Sequence, residues 1–151
     1  MSPLGESLSI TSDSRAESVS WFSVDSESWP LVAPMVEKLI PRLGGRFLIE
    51  DIAELVEQKK LTAWAVAVDG ELSGVVLLEI NQYPRKKVLT VFGLAGHNLD
   101  AWYPSGIGHV KQFATQVGAQ AITGMVRPGL AKYLRKRGWE PRSAELELAD
   151  A

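Results

Sequence analysis

Residues 88–139 restrict the fold more than any other part of the chain, because they alternate strand and helix signals twice in close succession. Val88–Leu94 is an apolar run with β-branched residues, and Gly96-His97-Asn98 interrupts it. A helical pattern then continues to Val117, and Ala121–Val126 is a second apolar run. Gly129–Arg137 reads as a short basic helix that stops at Gly138-Trp139. Two neighbouring strands, each followed by a helix, bring a helix N-terminus beside a sheet edge. The unpaired N–H groups and positive dipole end of such a terminus suit a phosphate group.

Upstream the patterns are equally distinct. Val19–Val24 forms a first strand, and apolar residues at 31, 32, 35, 36, 39, 40 and 43 form a helical stripe from Leu31 to Leu43. Ser28 is placed to cap this helix, Pro30 suits its first turn, and Pro34 delays or kinks it. Gly44-Gly45 ends it. A second helix spans Ile49–Gln58, with Glu50 and Asp51 at its start and Lys59 and Lys60 past its end, as the dipole favours. Trp64, Val66 and Val68 then alternate with alanines up to Asp69-Gly70, a two-residue hairpin signal. Leu72–Ile80 is the return strand, with Gly74 as a bulge, and Tyr83-Pro84-Arg85-Lys86 turns the chain into Val88–Leu94. Ser143–Leu148 (SAELEL) alternates small or apolar residues with Ser and Glu, and reads as a last strand. The expected order is strand, helix, helix, three strands, helix, strand, helix, strand: an α/β mixed sheet covered on both faces. Residues 1–16, rich in Ser, Gly and Asp, are expected to be a mobile tail ahead of one domain, 17–151.

Composition narrows the chemistry. A chain of 151 residues with 46% hydrophobic and 23% charged residues is an ordinary globular domain. Cysteine is absent, which removes disulfides, thiolate metal sites and a cysteine nucleophile, and the two histidines, His97 and His109, make a multi-histidine metal site unexpected. The net charge of −2 argues against nucleic acid and anionic membranes as partners. No run approaches a membrane span and no signal peptide is evident, so the expected location is the cytoplasm. Residues 61–151 carry eight acids and ten bases against ten and six in residues 1–60, and the excess base gathers near Arg127, Lys132, Arg135, Lys136, Arg137 and Arg142.

Leu61-Thr62-Ala63-Trp64-Ala65-Val66, Tyr83-Pro84-Arg85-Lys86-Lys87, Leu99-Asp100-Ala101-Trp102, Gly124 through Arg127, Gly129 and Gly138-Trp139 occur in an informative order. In that order the chain resembles the GCN5-related N-acetyltransferases, most closely the small acetyltransferase-like proteins of tailed bacteriophages. The resemblance implies acetyl-CoA as cofactor, its pantetheine arm lying between the splayed strands 88–94 and 121–126. Val91, Phe92, Gly93 and Leu94 would then face the pantetheine, and Gly96, His97 and Asn98 would begin the phosphate loop. The family loop is Arg/Gln-x-x-Gly-x-Gly/Ala, whereas Gly96–Tyr103 has one glycine, no arginine, and an acidic Asp100. Ser105-Gly106-Ile107-Gly108 matches better but comes late, so Gly106, Gly108 and Arg127 form an alternative cofactor set. The bland reading is that the glycines kink a longer helix or let another element pack closely.

The family's general acid, a tyrosine four residues before the Gly–aromatic pair, corresponds to Leu134. Tyr133 is one residue away, about 100° around the helix, and on this reading faces elsewhere. Glu79 and His97 are the candidate bases, and Tyr133 completes the catalytic candidates. His109 lies opposite the stripe Ile107, Val110, Phe113, Ala114 and Val117, and is expected to be solvated. The resemblance implies two closing strands, and residues 140–151 hold one, so a seventh strand is expected to be missing. That leaves an edge for a homodimer or for a host bacterial protein. Two functional readings follow. One is an N-acetyltransferase acting on an amine of a host protein or small molecule. The other is a catalytically degenerate module that binds and modulates a host protein during infection.

Overall fold

The computed structural model describes residues 8–11 and 18–149. Its sheet has six strands in sequential order: β1 (Leu8–Thr11), β2 (Ser18–Ser23), β3 (Thr62–Val68), β4 (Glu71–Gln82), β5 (Lys87–Gly96) and β6 (Ala121–Gly124). All neighbours are antiparallel except β5 and β6, which are parallel. The helices are α1 (Trp29–Glu37), α2 (Ile49–Glu57), α3 (Leu99–Val117) and α4 (Pro128–Arg135), with a 3-10 turn at Ile40–Leu43. The mixed α/β architecture matches the expected one.

Departures from the sequence reading lie at the termini, in helices α1, α3 and α4, and at the bulge of β4. Leu8–Thr11, expected within a tail, pairs with β2, while the rest of residues 1–16 lies outside the described residues. The first helix ends at Glu37 and not at Leu43. Pro41 has no N–H to continue the ladder, so the chain tightens into the 3-10 turn. Ser28 holds the N-cap position, but its hydroxyl is engaged with Asp25, accepting from the Asp25 N–H at 2.9 Å. The expected final strand does not form: residues 143–148 are exposed and belong to no ladder, leaving Leu146 91% and Leu148 78% exposed.

Elsewhere local chemistry decides. Asp69 and Gly70 both take positive φ (53° and 80°), the requirement of the tight hairpin between β3 and β4. Between Val66 and Ala67 the register skips, so Ser73, next to Gly74, is the bulged residue of β4. Gly74 is needed for space: a Cβ there would lie 2.6 Å from the Trp102 ring.

Two cores flank the sheet. One, beneath α3, contains Trp21, Trp64 and Trp102 with Val66, Leu78, Leu89 and Val91. The other, beneath α1 and α2, contains Val32, Val36, Ile52, Val75, Leu77 and Ala95. His109 belongs with the first and is not solvated. It is 5% exposed, its ring 5.3 Å from that of Trp21 and 6.1 Å from that of Trp64. The buried face of α3 is Trp102, Gly106, His109, Val110 and Ala114, a helical stripe that includes the histidine. Trp21 fills the space over Gly106, where a Cβ would meet its ring at 3.0 Å. Ser105 to Gly108 are therefore interior turns of one helix, and Gly106 serves packing; they form no phosphate loop.

Candidate functional site

The site begins where β5 and β6 part. Their ladder runs from Val88↔Ala121 to Val91↔Gly124, and the Met125 N–H makes the last bond to the Val91 carbonyl at 3.3 Å. Beyond Val91, β5 continues to Gly96, paired only with β4 among the described residues. The β6-facing side of Phe92–Gly96 is thus an open backbone edge. At the same point Leu77 and Leu78 pair with Gly93 and Val91, so Phe92 is an extra, bulged residue that bends β5 away from β6.

The bulge fixes where the sequence candidates point. Val91 is buried under α3, and Leu94 packs on the same core. Phe92 turns to the other face, edge-on to Phe47 at 5.4 Å between ring centres. Gly93 faces that side too, where a Cβ would lie 2.9 Å from Leu39 Cδ1. What these residues offer to the cleft is backbone. Gly96, at φ 137°, sits against the bulge of β4, where a Cβ would overlap the Ser73 carbonyl. His97 closes this junction through its backbone. Its N–H donates to Ser73 O at 2.8 Å, and its carbonyl accepts from Trp102 Nε1 at 2.9 Å. Its side chain is exposed.

Past the open edge lies a pocket of about 380 Å³ lined by Asn98, Leu99, Asp100, Arg127, Gly129, Leu130 and Tyr133. Asn98 precedes α3 in the left-handed conformation (φ 59°), which asparagine tolerates, and Arg127 precedes α4. Both helix N-termini therefore open on one cavity, and both contribute partial positive charge. Gly129 leaves room for the Arg127 guanidinium, whose Nη1 would lie 2.6 Å from a Cβ there. Arg127 makes no ion pair among the described residues.

Asp100 is the opposing charge, and it is already partnered. The Tyr133 hydroxyl donates to Asp100 Oδ1 at 2.7 Å, and Arg137 Nη2 donates to the same oxygen at 3.3 Å. The Arg137 guanidinium lies 3.5 Å from the Tyr133 ring centre. Burial and then the hydrogen bond to Asp100 push the Tyr133 hydroxyl up to about 12. Contrary to the expectation that Tyr133 faces elsewhere, α4 buries Leu134 and presents Tyr133 to the pocket. Next to it, Trp139 Nε1 donates to the Tyr103 hydroxyl at 2.9 Å, and its ring packs against Gly124.

A polar row missed in the sequence crosses the sheet just short of the opening. Asn81 Nδ2 donates to Thr90 Oγ1 at 3.0 Å, and the hydroxyls of Thr90 and Thr123 are 3.0 Å apart. Glu79, half-buried and opposite Thr90 in the register, accepts from Asn81 at 3.4 Å. By strand alternation this row shares the face that carries Leu77 and Val75, away from α3. The signal was the polar residues Glu79, Asn81, Thr90 and Thr123 inside otherwise apolar strands. Among the described residues no group of three His, Asp or Glu is placed to hold a metal, and no helix is long and apolar enough to cross a membrane.

Solved structures share the architecture. A probable acetyltransferase superposes with a TM-score of 0.68 at 16% identity, covering 87% of this chain and 99% of its own. The chain has the GCN5-related N-acetyltransferase fold. The aminoglycoside N-acetyltransferase AAC(6')-Iy, in complex with CoA, gives a TM-score of 0.69 at 14% identity, over 92% of this chain and 99% of its own. The ribosomal-protein-alanine N-acetyltransferase of Brucella melitensis biovar Abortus 2308 gives 0.62 at 15% identity, over 85% and 99%. No protein-family model matches the chain, and no curated protein matches it by sequence.

Proposed function

We propose that the protein is an acetyl-CoA-dependent N-acetyltransferase that uses the open edge of β5 as its cofactor seat. The observation that carries this reading is the divergence of β5 and β6 after Val91 and Gly124. It frees the backbone of Phe92–Gly96 on a line that ends at the pocket between α3 and α4. A pantetheine amide can add to such an edge as a short strand. The residues present fit the rest of the cofactor unevenly. The two helix N-termini and Arg127 suit phosphate, while Asp100 takes space there, its charge shared with Arg137 and Tyr133. When bound, acetyl-CoA supplies the activated acyl group.

The chain's residues divide the remaining work. A protonated amine must lose a proton before its nitrogen bonds to the acyl carbon and the C–S bond breaks. Glu79 is the base in this reading, because its row ends at the base of the opening; His97 lies toward the phosphate end. Tyr133 positions the pocket wall and does not donate the leaving proton. Its hydroxyl is pushed up to about 12, whereas a thiol titrates near 8.5, so transfer to the thiolate is uphill. The acceptor is an amine on a small molecule or a protein, a host bacterial protein if the chain is phage-encoded.

Calorimetric titration with acetyl-CoA, followed by an assay of CoA release with amine acceptors, tests both halves. Binding with turnover that falls in Glu79→Gln supports the reading. Binding without turnover on any acceptor leaves a cofactor-binding module, and no binding at millimolar acetyl-CoA removes the cofactor.

A further inference from the structure

The pocket between α3 and α4 carries an anion of its own. Asp100 lies in the first turn of α3, where the helix dipole favours a carboxylate. Its side chain lines the pocket and is 81% exposed, so it faces whatever enters. The lining holds one base besides, Arg127, and the charges of the pocket wall therefore cancel. The other bases of this region, Lys132, Arg135 and Lys136, do not line it.

Arg137 is a further cation beside the pocket, and Asp100 already engages it. Its Nη2 donates to Asp100 Oδ1 at 3.3 Å and its Nη1 to the Tyr133 carbonyl at 2.9 Å. The guanidinium also lies 3.5 Å from the Tyr133 ring centre and 5.8 Å from that of Tyr103, so it is held on several sides. The Tyr133 hydroxyl donates to the same Asp100 oxygen at 2.7 Å. One carboxylate oxygen thus collects a hydroxyl and a guanidinium, the kind of donors that would otherwise hold a phosphate oxygen. An entering phosphate meets donors that an internal anion has already satisfied, and meets that anion next to them.

We propose that Asp100 is a specificity-determining residue, a built-in substitute for the phosphate of the acyl donor, so that the site recognises acyl thioesters of pantetheine by the pantetheine arm and gains little from the charged end. The proposal rests on the reading of the β5 edge as the cofactor seat. The arm meets the open backbone of Phe92–Gly96, a stretch without a charged side chain. At the other end, attraction to Arg127 is offset by repulsion from Asp100. Drawing Arg137 onto the ligand would leave the Asp100 carboxylate without its cation. The donor class is therefore an acyl-pantetheine, with or without the nucleotide that CoA adds to it.

Calorimetric titration of the full chain with acetyl-CoA and with S-acetylpantetheine, in the wild type, Asp100→Asn and Asp100→Glu, tests this. The wild type should bind acetyl-CoA less than tenfold more tightly than S-acetylpantetheine. Asp100→Asn should raise that ratio at least tenfold, through tighter acetyl-CoA and unchanged S-acetylpantetheine, and the gain should shrink at high salt. Asp100→Glu, which keeps the charge, should keep the wild-type ratio. Three results overturn the proposal and leave the cofactor seat standing: a wild-type ratio above tenfold, a rise of less than tenfold in Asp100→Asn, or a comparable rise in Asp100→Glu. Failure of both ligands to bind any of the three proteins overturns the proposal and the seat together.

Discussion

The two halves of β5 have the same kind of sequence and opposite surroundings. Lys87–Val91 is laddered on both sides, to β4 and to β6, and its Leu89 and Val91 lie in the tryptophan core under α3. Phe92–Gly96 is equally apolar and, apart from the bulged Phe92, paired with β4, but its other side is open among the described residues. One residue makes the difference. The bulge at Phe92 lets β5 follow β4 while β6 turns off at Gly124. A strand apolar on both faces can thus be structural at one end and recognise a ligand through its backbone at the other. The side chains of the open half are spent on packing, Phe92 on Phe47 and Gly93 under Leu39.

That contrast can be broken most forcefully at the closed end. Trp21→Ala should cost about 3–5 kcal/mol in denaturant unfolding, because Trp21 is 1% exposed, touches Trp64 and Trp102, and fills the space over Gly106. His109 adds a pH dependence to the same core. Burial holds its imidazole below the usual histidine value, and Nε2 has no hydrogen-bond partner among the described residues. Below about pH 6.5 the unfolded chain takes up a proton that the folded chain resists. Stability from this group is therefore full above that pH and lost as pH falls toward the depressed folded value. Melting temperatures between pH 7.5 and 5.5 should fall in the wild type, with a smaller slope in His109→Phe.

At the open end the effects should appear in binding and not in folding. Arg127→Glu should weaken acetyl-CoA at least tenfold, about 1.4 kcal/mol by calorimetry, with an unchanged melting temperature. Tyr133→Phe should lower turnover less than tenfold, under about 1.4 kcal/mol of barrier, because its hydroxyl is engaged by Asp100 and too weak an acid to serve the thiolate. His97→Ala should be smallest, within about 0.5 kcal/mol of wild-type stability, since the backbone of His97 makes its structural bonds.

The elements that sequence made legible are those set by local pattern. The Asp69-Gly70 hairpin, the alternation of Trp64, Val66 and Val68, and the helix ending at Gly118 each follow from near neighbours. What it hid depends on distant partners. His109 reads as a polar residue until Trp21 and Trp64 are seen around it, whereas the reading of Gly106 as a helix glycine that lets another element pack closely is borne out, with the Trp21 ring as that element. Tyr133 was assigned by its offset from Gly138-Trp139, but the rotation of α4 is set by burial of Leu130 and Leu134. Residues 143–148 have a strand's alternation and no neighbour to pair with. The open edge was anticipated from a resemblance, and the bulge that creates it lies in the pairing of β4 with β5, which no local pattern encodes.

Backbone hydrogen exchange with and without acetyl-CoA tests the central claim most directly, because the claim concerns backbone groups. Added cofactor should slow exchange in Phe92–Gly96 and at Leu99 and Asp100. Lys87–Val91, already laddered on both sides, should change little. Equal protection of both halves of β5, or none in Phe92–Gly96 at a concentration that produces binding heat, would contradict the account.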